Sequence, residues 1–214
     1  MQAWLPLFPL HVVLLPEAEL PLHIFEDRYK EMIAEVMRDK IEFGIVLASE
    51  KGIVNTGCTA VVERVLREYP DGRLDILTLG RRRFEIMNLN DERSYLRGAV
   101  EYFDDEDDDK ADGSAPTRDF RARAIAGYNE WRALTSDAPL SDAEAREPQV
   151  SFRLARAVED LGLRQVLLSA RSETERLRQL AEFFPAFLIR QRRIERVKQV
   201  ARRNGHGGPN PQNP

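Results

Sequence analysis

The sequence predicts an α+β fold, a β-rich barrel lobe with one inserted helix followed by an α-helical bundle that ends in a long helix. Three observations predict it. Up to Phe103, apolar residues recur mostly with a period of two, in short runs punctuated by proline and glycine. From Asp104 to Pro116 there are seven acids, one lysine and no large apolar side chain. Beyond Pro116 the apolar period becomes 3.6. The expected boundaries are therefore a barrel lobe over 1–103, a solvated linker over 104–116, a bundle lobe over 117–203 and a disordered tail over 204–214.

The barrel elements follow in order. "WLPLF", "HVVLL" and "LPLHIF" are short apolar runs bounded by prolines, which belong at strand starts and sheet edges. In "EDRYKEMIAEVMRDK", Tyr29, Met32, Ile33, Val36 and Met37 fall on one helical face, so this stretch is the inserted helix. Glu26 and Asp27 stand at its start, where carboxylates can accept free N–H groups and complement the helix dipole. "EFGIVLA" has the length of a buried strand. "TAVVERVLREY" leads through Pro70-Asp71-Gly72 into "RLDILTL", and that tripeptide is a turn because it presets φ, caps the backbone and accepts positive φ in succession. "RRFEIMNL" and "YLRGAVEYF" bring the expectation to about eight short strands, the pattern of a small closed or partly closed barrel.

The acidic stretch cannot bury surface, hence the linker. After it, Phe120, Ala124, Tyr128, Trp131 and Leu134 line one helix, and Val150, Leu154, Ala157, Val158 and Leu161 a second that Gly162 can stop. "RQVLLSA" is a short third. Ser172-Glu173-Thr174-Glu175 reads as a capping box opening the long helix, with a bend expected at Pro185.

Composition excludes several classes. With 43% hydrophobic and 32% charged residues the chain reads as soluble and globular, and a net charge of -4 gives no general attraction to nucleic acid or anionic membrane. One cysteine excludes an internal disulfide framework and a zinc site of several thiolates. The apolar N-terminus has no basic residue before Arg28 and is broken by four prolines, unlike an export signal. No run reaches the roughly eighteen apolar residues of a membrane span. A cytoplasmic location is expected.

Candidate chemistry is sparse. His23 sits in an apolar strand ahead of Glu26 and Asp27. The strand's alternation does not converge these groups on one cleft, so the strand–helix hinge is favoured over a catalytic site. Metal binding needs further ligands, and the other histidines are His11, in another apolar strand, and His206, in the tail. Cys58 follows Gly57 at the head of a strand and reads as a small buried hydrophobe rather than a nucleophile. Arg81-Arg82-Arg83 reads as a turn and solvated face. The acidic run lacks the ligand spacing of a calcium loop. From Arg190 to Arg203 the local charge is +6, leaving -10 elsewhere, yet no aromatic is interleaved there for base stacking. Phosphate-loop, nucleophile-elbow and His-Glu-x-x-His motifs are all absent. No catalytic residue, cofactor site or metal site is assigned.

The barrel half carries an ordered series of segments. Leu5 to Pro9 gives Leu-Pro-Leu-Phe-Pro, Val12 to Pro16 a Val/Leu run ending in proline, and Leu22 to Tyr29 a Leu-x-Ile-Phe-Glu-x-Arg-Tyr signature. "FGIVL", Gly57-Cys58-x-Ala60, Pro70-Asp71-Gly72-Arg73, "GRRRFEI" and "YLRGAVE" follow. This series resembles the N-terminal, substrate-binding domain of Lon proteases. The resemblance implies a PUA-like barrel followed by a helical bundle, and a role in recognising polypeptide. It offers no catalytic residues in this domain, and the chain ends where the ATPase and peptidase modules of a full Lon would begin.

The expected function is therefore a non-catalytic polypeptide-recognition module, an adaptor or holdase that is not an enzyme. Its expected partners are unfolded or exposed polypeptide segments, with a protease, a chaperone or a second copy of the chain as further candidates. Strand edges, a groove between barrel and bundle, and aromatics such as Trp4 or Trp131 are the features that could serve. The alternatives are RNA or small-ligand binding through the barrel, or a hydrolase built on Cys58 or His23.

Overall fold

Six strands form one mixed sheet in the computed structural model, which describes residues 4–50, 52–106 and 115–204. The strands are β1 (Leu5–Leu10), β2 (Glu19–Ile24), β3 (Phe43–Ser49), β4 (Gly52–Glu68), β5 (Leu74–Asn90) and β6 (Arg97–Tyr102). Their order is β2-β5-β4-β3-β1-β6, and β6 also pairs with β5, so five strands close a ring and β2 extends from it. β1 and β3 run parallel; the other pairs are antiparallel.

Closure depends on the two seventeen-residue strands β4 and β5. Their pairing shifts register near Thr59, Glu63 and Leu66, and such bulges bend a strand and increase its twist. Each long strand can then serve different neighbours along its length. In β5, Leu74–Leu79 pairs with β2, while Phe84–Asn90 pairs with β6. Two strands expected from "RLDILTL" and "RRFEIMNL" are thus one. "HVVLL" is not a strand. Val13, Leu14 and Leu15 are buried there as a coil, because the Glu17 N–H donates to Gly80 O (3.0 Å) and the Gly80 N–H to Ala18 O (2.9 Å) instead of building a ladder. A Cβ on Gly80 would lie 2.2 Å from Leu15 O, so only glycine admits that approach.

The inserted helix, α1 (Asp27–Asp39), buries Tyr29, Met32, Ile33 and Val36 as its period requires. Met37, expected on the same face, is 40% exposed. Glu26 is the N-cap but its side chain caps nothing; it accepts from Arg28 Nε at 2.9 Å instead. Phe25, at the junction between β2 and α1, is 58% exposed. Its ring stacks on His23 at 5.8 Å, outside the core. Phe25→Ala is accordingly expected to change unfolding free energy by no more than about 0.5 kcal/mol, as for an ordinary surface position. A urea midpoint shift worth several times that would place Phe25 in the core.

The helices after the acidic stretch are α2 (Ala115–Leu134), α3 (Asp142–Ala145), α4 (Val150–Leu154), α5 (Leu161–Ser169) and α6 (Glu173–Asn204). The expected second helix breaks over Val158–Asp160. Gly162 does not stop it but lies in the first turn of α5, whose N-cap Asp160 accepts from the Leu163 N–H at 2.7 Å. At the start of α6, Ser172 Oγ accepts from the Glu175 N–H at 3.1 Å. A full capping box stands at Ser141 and Glu144, where none was expected.

The chain divides into two units, Met1–Lys110 with Gln149–Arg176, and Ala111–Pro148 with Leu177–Pro214. The sequence expectation assigned 117–203 to one bundle, whereas Gln149–Arg176 clusters with the barrel. The reason is polar. Asp105, in the stretch read as a solvated linker, pairs with Arg83 Nη2 at 2.8 Å and with both Arg176 Nη1 and Nη2 at 2.6 Å. Gln149 Nε2 donates to the same carboxylate at 3.0 Å. Residues 107–114 and the tail from 205 lie outside the described residues. In the second unit, Ala124, Tyr128, Leu177, Leu180, Ala181 and Phe184 form the core, and Gly127 lets α2 approach Phe184 closely.

Candidate functional site

The pairing of β3 with β4 runs from Ser49↔Gly52 to Phe43↔Ala60 and stops there. Beyond it, Val61–Glu68 of β4 pairs only with β5 among the described residues, so its other edge is open. The chain builds a cleft beside that edge. After α1, Lys40 adopts the left-handed conformation (φ 53) and the Lys40 and Ile41 N–H groups donate to Val36 O, which turns the chain sharply into β3. The turn sets Met37 and Ile41 next to Val61, Val62 and Val65, around a space of about 350 Å³.

The cleft's apolar residues are exposed: Met37 and Ile41 are each 40% and Val65 39% accessible. Lys40, Glu63 and Arg64 stand on its rim. Proteins ordinarily cover or blunt an open strand edge, since its free N–H and C=O groups invite another chain. Here the bulges at Glu63 and Leu66 restrict regular pairing to short stretches. An edge of this kind can hydrogen-bond a short extended polypeptide and bury a few of its apolar side chains.

The residues singled out in the sequence lie elsewhere. His23 Nδ1 donates to Asp75 Oδ1 at 2.6 Å, and Tyr69 Oη donates to Asp75 Oδ2 at 2.8 Å. The His23 hydrogen bond, then that of Tyr69, hold the Asp75 carboxyl below its usual range. Cys58 lies within β4 rather than at its head, paired with Ile45 and Arg83 and fully buried. Burial pushes its thiol up to about 12, leaving no nucleophilic thiolate near neutral pH. The structure thus does not bring His23 and Cys58 together.

The three arginines separate. Arg83 is buried on Asp105, Arg82 pairs with Glu42 and lies 3.9 Å over the Tyr102 ring, and Arg81 meets Glu17 at 3.8 Å. On the basic stretch of α6, Arg192 pairs with Glu130 and Lys198 with Glu195. No group of three metal-ligating side chains occurs among the described residues. Trp4 and Trp131 are both half-buried. Trp4 lines a second cleft of the barrel unit, of about 470 Å³, with Pro6, Arg82, Val100 and Tyr102. Trp131 packs on Tyr128 and Phe187 in the helical unit. The open edge was missed in the sequence because "VVERVLREY" reads as any strand. The Pro-Asp-Gly turn announces its partner on one side and says nothing of the other.

Comparison with known proteins gives a consistent relationship. Residues 4–188 match the family described as the ATP-dependent protease La (LON) substrate-binding domain. A Lon protease of Parabacteroides distasonis is 32% identical over 117 residues, covering 50% of this chain and 14% of that protein. Lon protease 1 of Hydrogenovibrio crunogenus is 30% identical over 137 residues, covering 60% and 16% respectively. The chain therefore spans about a sixth or less of the length of these curated relatives. Among solved structures, a Lon N-terminal domain protein from Xanthomonas campestris superposes with a TM-score of 0.64 at 29% identity, over 86% of this chain and 99% of that one. The N-terminal domain of Mycobacterium avium complex Lon protease gives 0.62 at 18% identity over 86% and 98%, a likeness of fold alone.

Proposed function

Because the chain belongs to the ATP-dependent protease La (Lon) substrate-binding domain family, we propose that it recognises exposed polypeptide segments and does not hydrolyse them. The observation that carries this reading is the open Val61–Glu68 edge beside an exposed apolar cleft. Backbone donors and acceptors give such a site affinity for extended chain of many sequences, and the cleft favours apolar side chains. The buried, protonated Cys58 and the solvent-facing His23–Asp75 pair support the absence of a hydrolytic centre in this domain. The acidic overall balance disfavours RNA, and the partners proposed are unfolded proteins in the cytoplasm. Among the described residues no helix is long and apolar enough to cross a membrane.

Mixing the purified chain with a reduced, permanently unfolded test protein is the direct measurement. Binding is expected in roughly the micromolar range, typical of small transient interfaces, with and without ATP, and the mass of the test protein should not change. Cleavage by preparations free of contaminating protease would overturn the non-catalytic reading. Absence of binding at tens of micromolar, on the order of ten times the expected constant, would overturn recognition itself.

A further inference from the structure

We propose that the open edge of β4 takes one short extended segment that alternates apolar and acidic side chains, pairing it as an added strand. The inference rests on the polypeptide-binding reading above and adds the mode and the chemistry of the bound segment. Three observations carry it.

The first is the backbone. Val61–Glu68 is hydrogen-bonded on its β5 side and open on the other among the described residues, and an extended chain is the partner that satisfies a strand's N–H and C=O groups in sequence. The second is the apolar floor. Val36, Met37, Ile41 and Val65 line a space of about 350 Å³, sufficient for one or two aliphatic side chains projecting from the same face of an added strand.

The third is charge. Lys40 and Arg64 both border the cleft, and among the described residues no ion pair or side-chain hydrogen bond engages either. The neighbouring cations are already occupied: Arg38 is held by Asp39 through two bonds of 2.8 Å, and Arg67 lies 4.5 Å over the Tyr69 ring. Among the described residues that line the cleft Glu63 is the one acid, against Lys40 and Arg64, so that lining carries a net positive charge. An acidic side chain next to the buried apolar one meets Lys40 and Arg64; a basic one is repelled. The bulges at Glu63 and Leu66 confine the added strand to a few residues, which suits a weak and reversible contact.

The test uses the full chain and three eight-residue peptides: alternating Val and Glu, alternating Val and Lys, and the Val–Glu peptide with two central prolines that cannot pair. Amide NMR spectra locate binding and give affinities. The Val–Glu peptide is expected to shift the Val61–Glu68 amides and to bind about tenfold more tightly than the Val–Lys peptide, with the proline peptide silent. In Lys40→Glu/Arg64→Glu the preference should reverse. Both side chains are exposed, and circular dichroism checks the fold. Arg64→Glu alone, with a smaller loss of preference expected, serves if the double variant unfolds.

Equal affinity for the two charged peptides, shifts confined to other residues, or an unchanged preference in the variant would each overturn the proposal. So would concentration-dependent shifts of the same amides without peptide, which would assign the edge to a second copy of the chain. An unfolded test protein that binds while the Val–Glu peptide leaves Val61–Glu68 unmoved would sink this site and leave the broader recognition reading standing; failure of both would remove both.

Discussion

Replacing Arg176 with alanine is expected to destabilise the barrel unit by about 3–5 kcal/mol, the cost of leaving buried charges without their partner. Arg176 is fully buried, and its guanidinium is committed on every edge. Nε donates to Ser151 Oγ at 2.7 Å, Nη1 to Asp105 and to Ala170 O (2.9 Å), and Nη2 to Asp105 and to Glu173 (2.9 Å). The plane lies 4.3 Å from the centre of the Phe152 ring. Deletion strands two carboxylates, Asp105 and Glu173, whose remaining partners are Arg83, Gln149 and Ser151. Lysine should recover little, since one ammonium cannot reproduce the bidentate contact with Asp105.

The same cluster sets an acid response. Burial pushes the Asp105 carboxyl up, but Arg176 and Arg83 outweigh it and hold the group below its ordinary 3.8. A carboxylate depressed on folding contributes stability that is present above its unfolded value and lost as the pH falls from there through the folded value. Glu173 behaves oppositely: burial outweighs its contacts with Arg176 and Ser151 and raises it, so protonating it on acidification relieves a penalty. The expected record is a stability that holds or rises slightly as pH falls towards 4.5, then drops below 3.8. Asp105→Asn should flatten that final drop. Urea midpoints across pH for wild type, Arg176→Ala and Asp105→Asn decide the matter, and an Arg176→Ala midpoint within error of wild type would make the cluster incidental.

Phe84→Ala carries the second large effect, again about 3–5 kcal/mol, from lost burial plus the cavity left behind. The ring is fully buried in the barrel with Leu5, Leu7, Val46 and Ile86. Its fit is set by two glycines across the sheet: a Cβ on Gly44 or Gly57 would lie 2.6 or 2.5 Å from Phe84 Cζ. Because backbone rather than mobile side chain walls the ring on those sides, the space cannot collapse after truncation. Phe84→Leu should recover about half the loss, retaining part of the apolar volume. A calorimetric loss below about 1 kcal/mol for the alanine variant would mean the barrel closes independently of this ring.

Much of the architecture was legible from residues alone, for physical reasons that stay local. Tyr29, Met32, Ile33 and Val36 mark a helix because their spacing matches the helical turn, and they are buried. Pro70-Asp71-Gly72 makes the β4–β5 hairpin because each residue supplies one demand of the turn: Gly72 has φ 81, and Asp71 accepts from the Arg73 N–H at 3.2 Å. The buried reading of Cys58 rests on similar local logic. What periodicity cannot encode is which strand edge finds a partner. Only the register shows β3 pairing end at Ala60 and leave Val61–Glu68 open, and only tertiary packing turns Phe25 out to solvent. The acidic stretch shows the limit most clearly. Six consecutive acids from Asp104 to Asp109 read alike, yet Asp105 is drawn into a buried cluster by Arg176, 71 residues away. A charge's burial depends on the opposite charges folded against it, and their positions are a property of the tertiary structure.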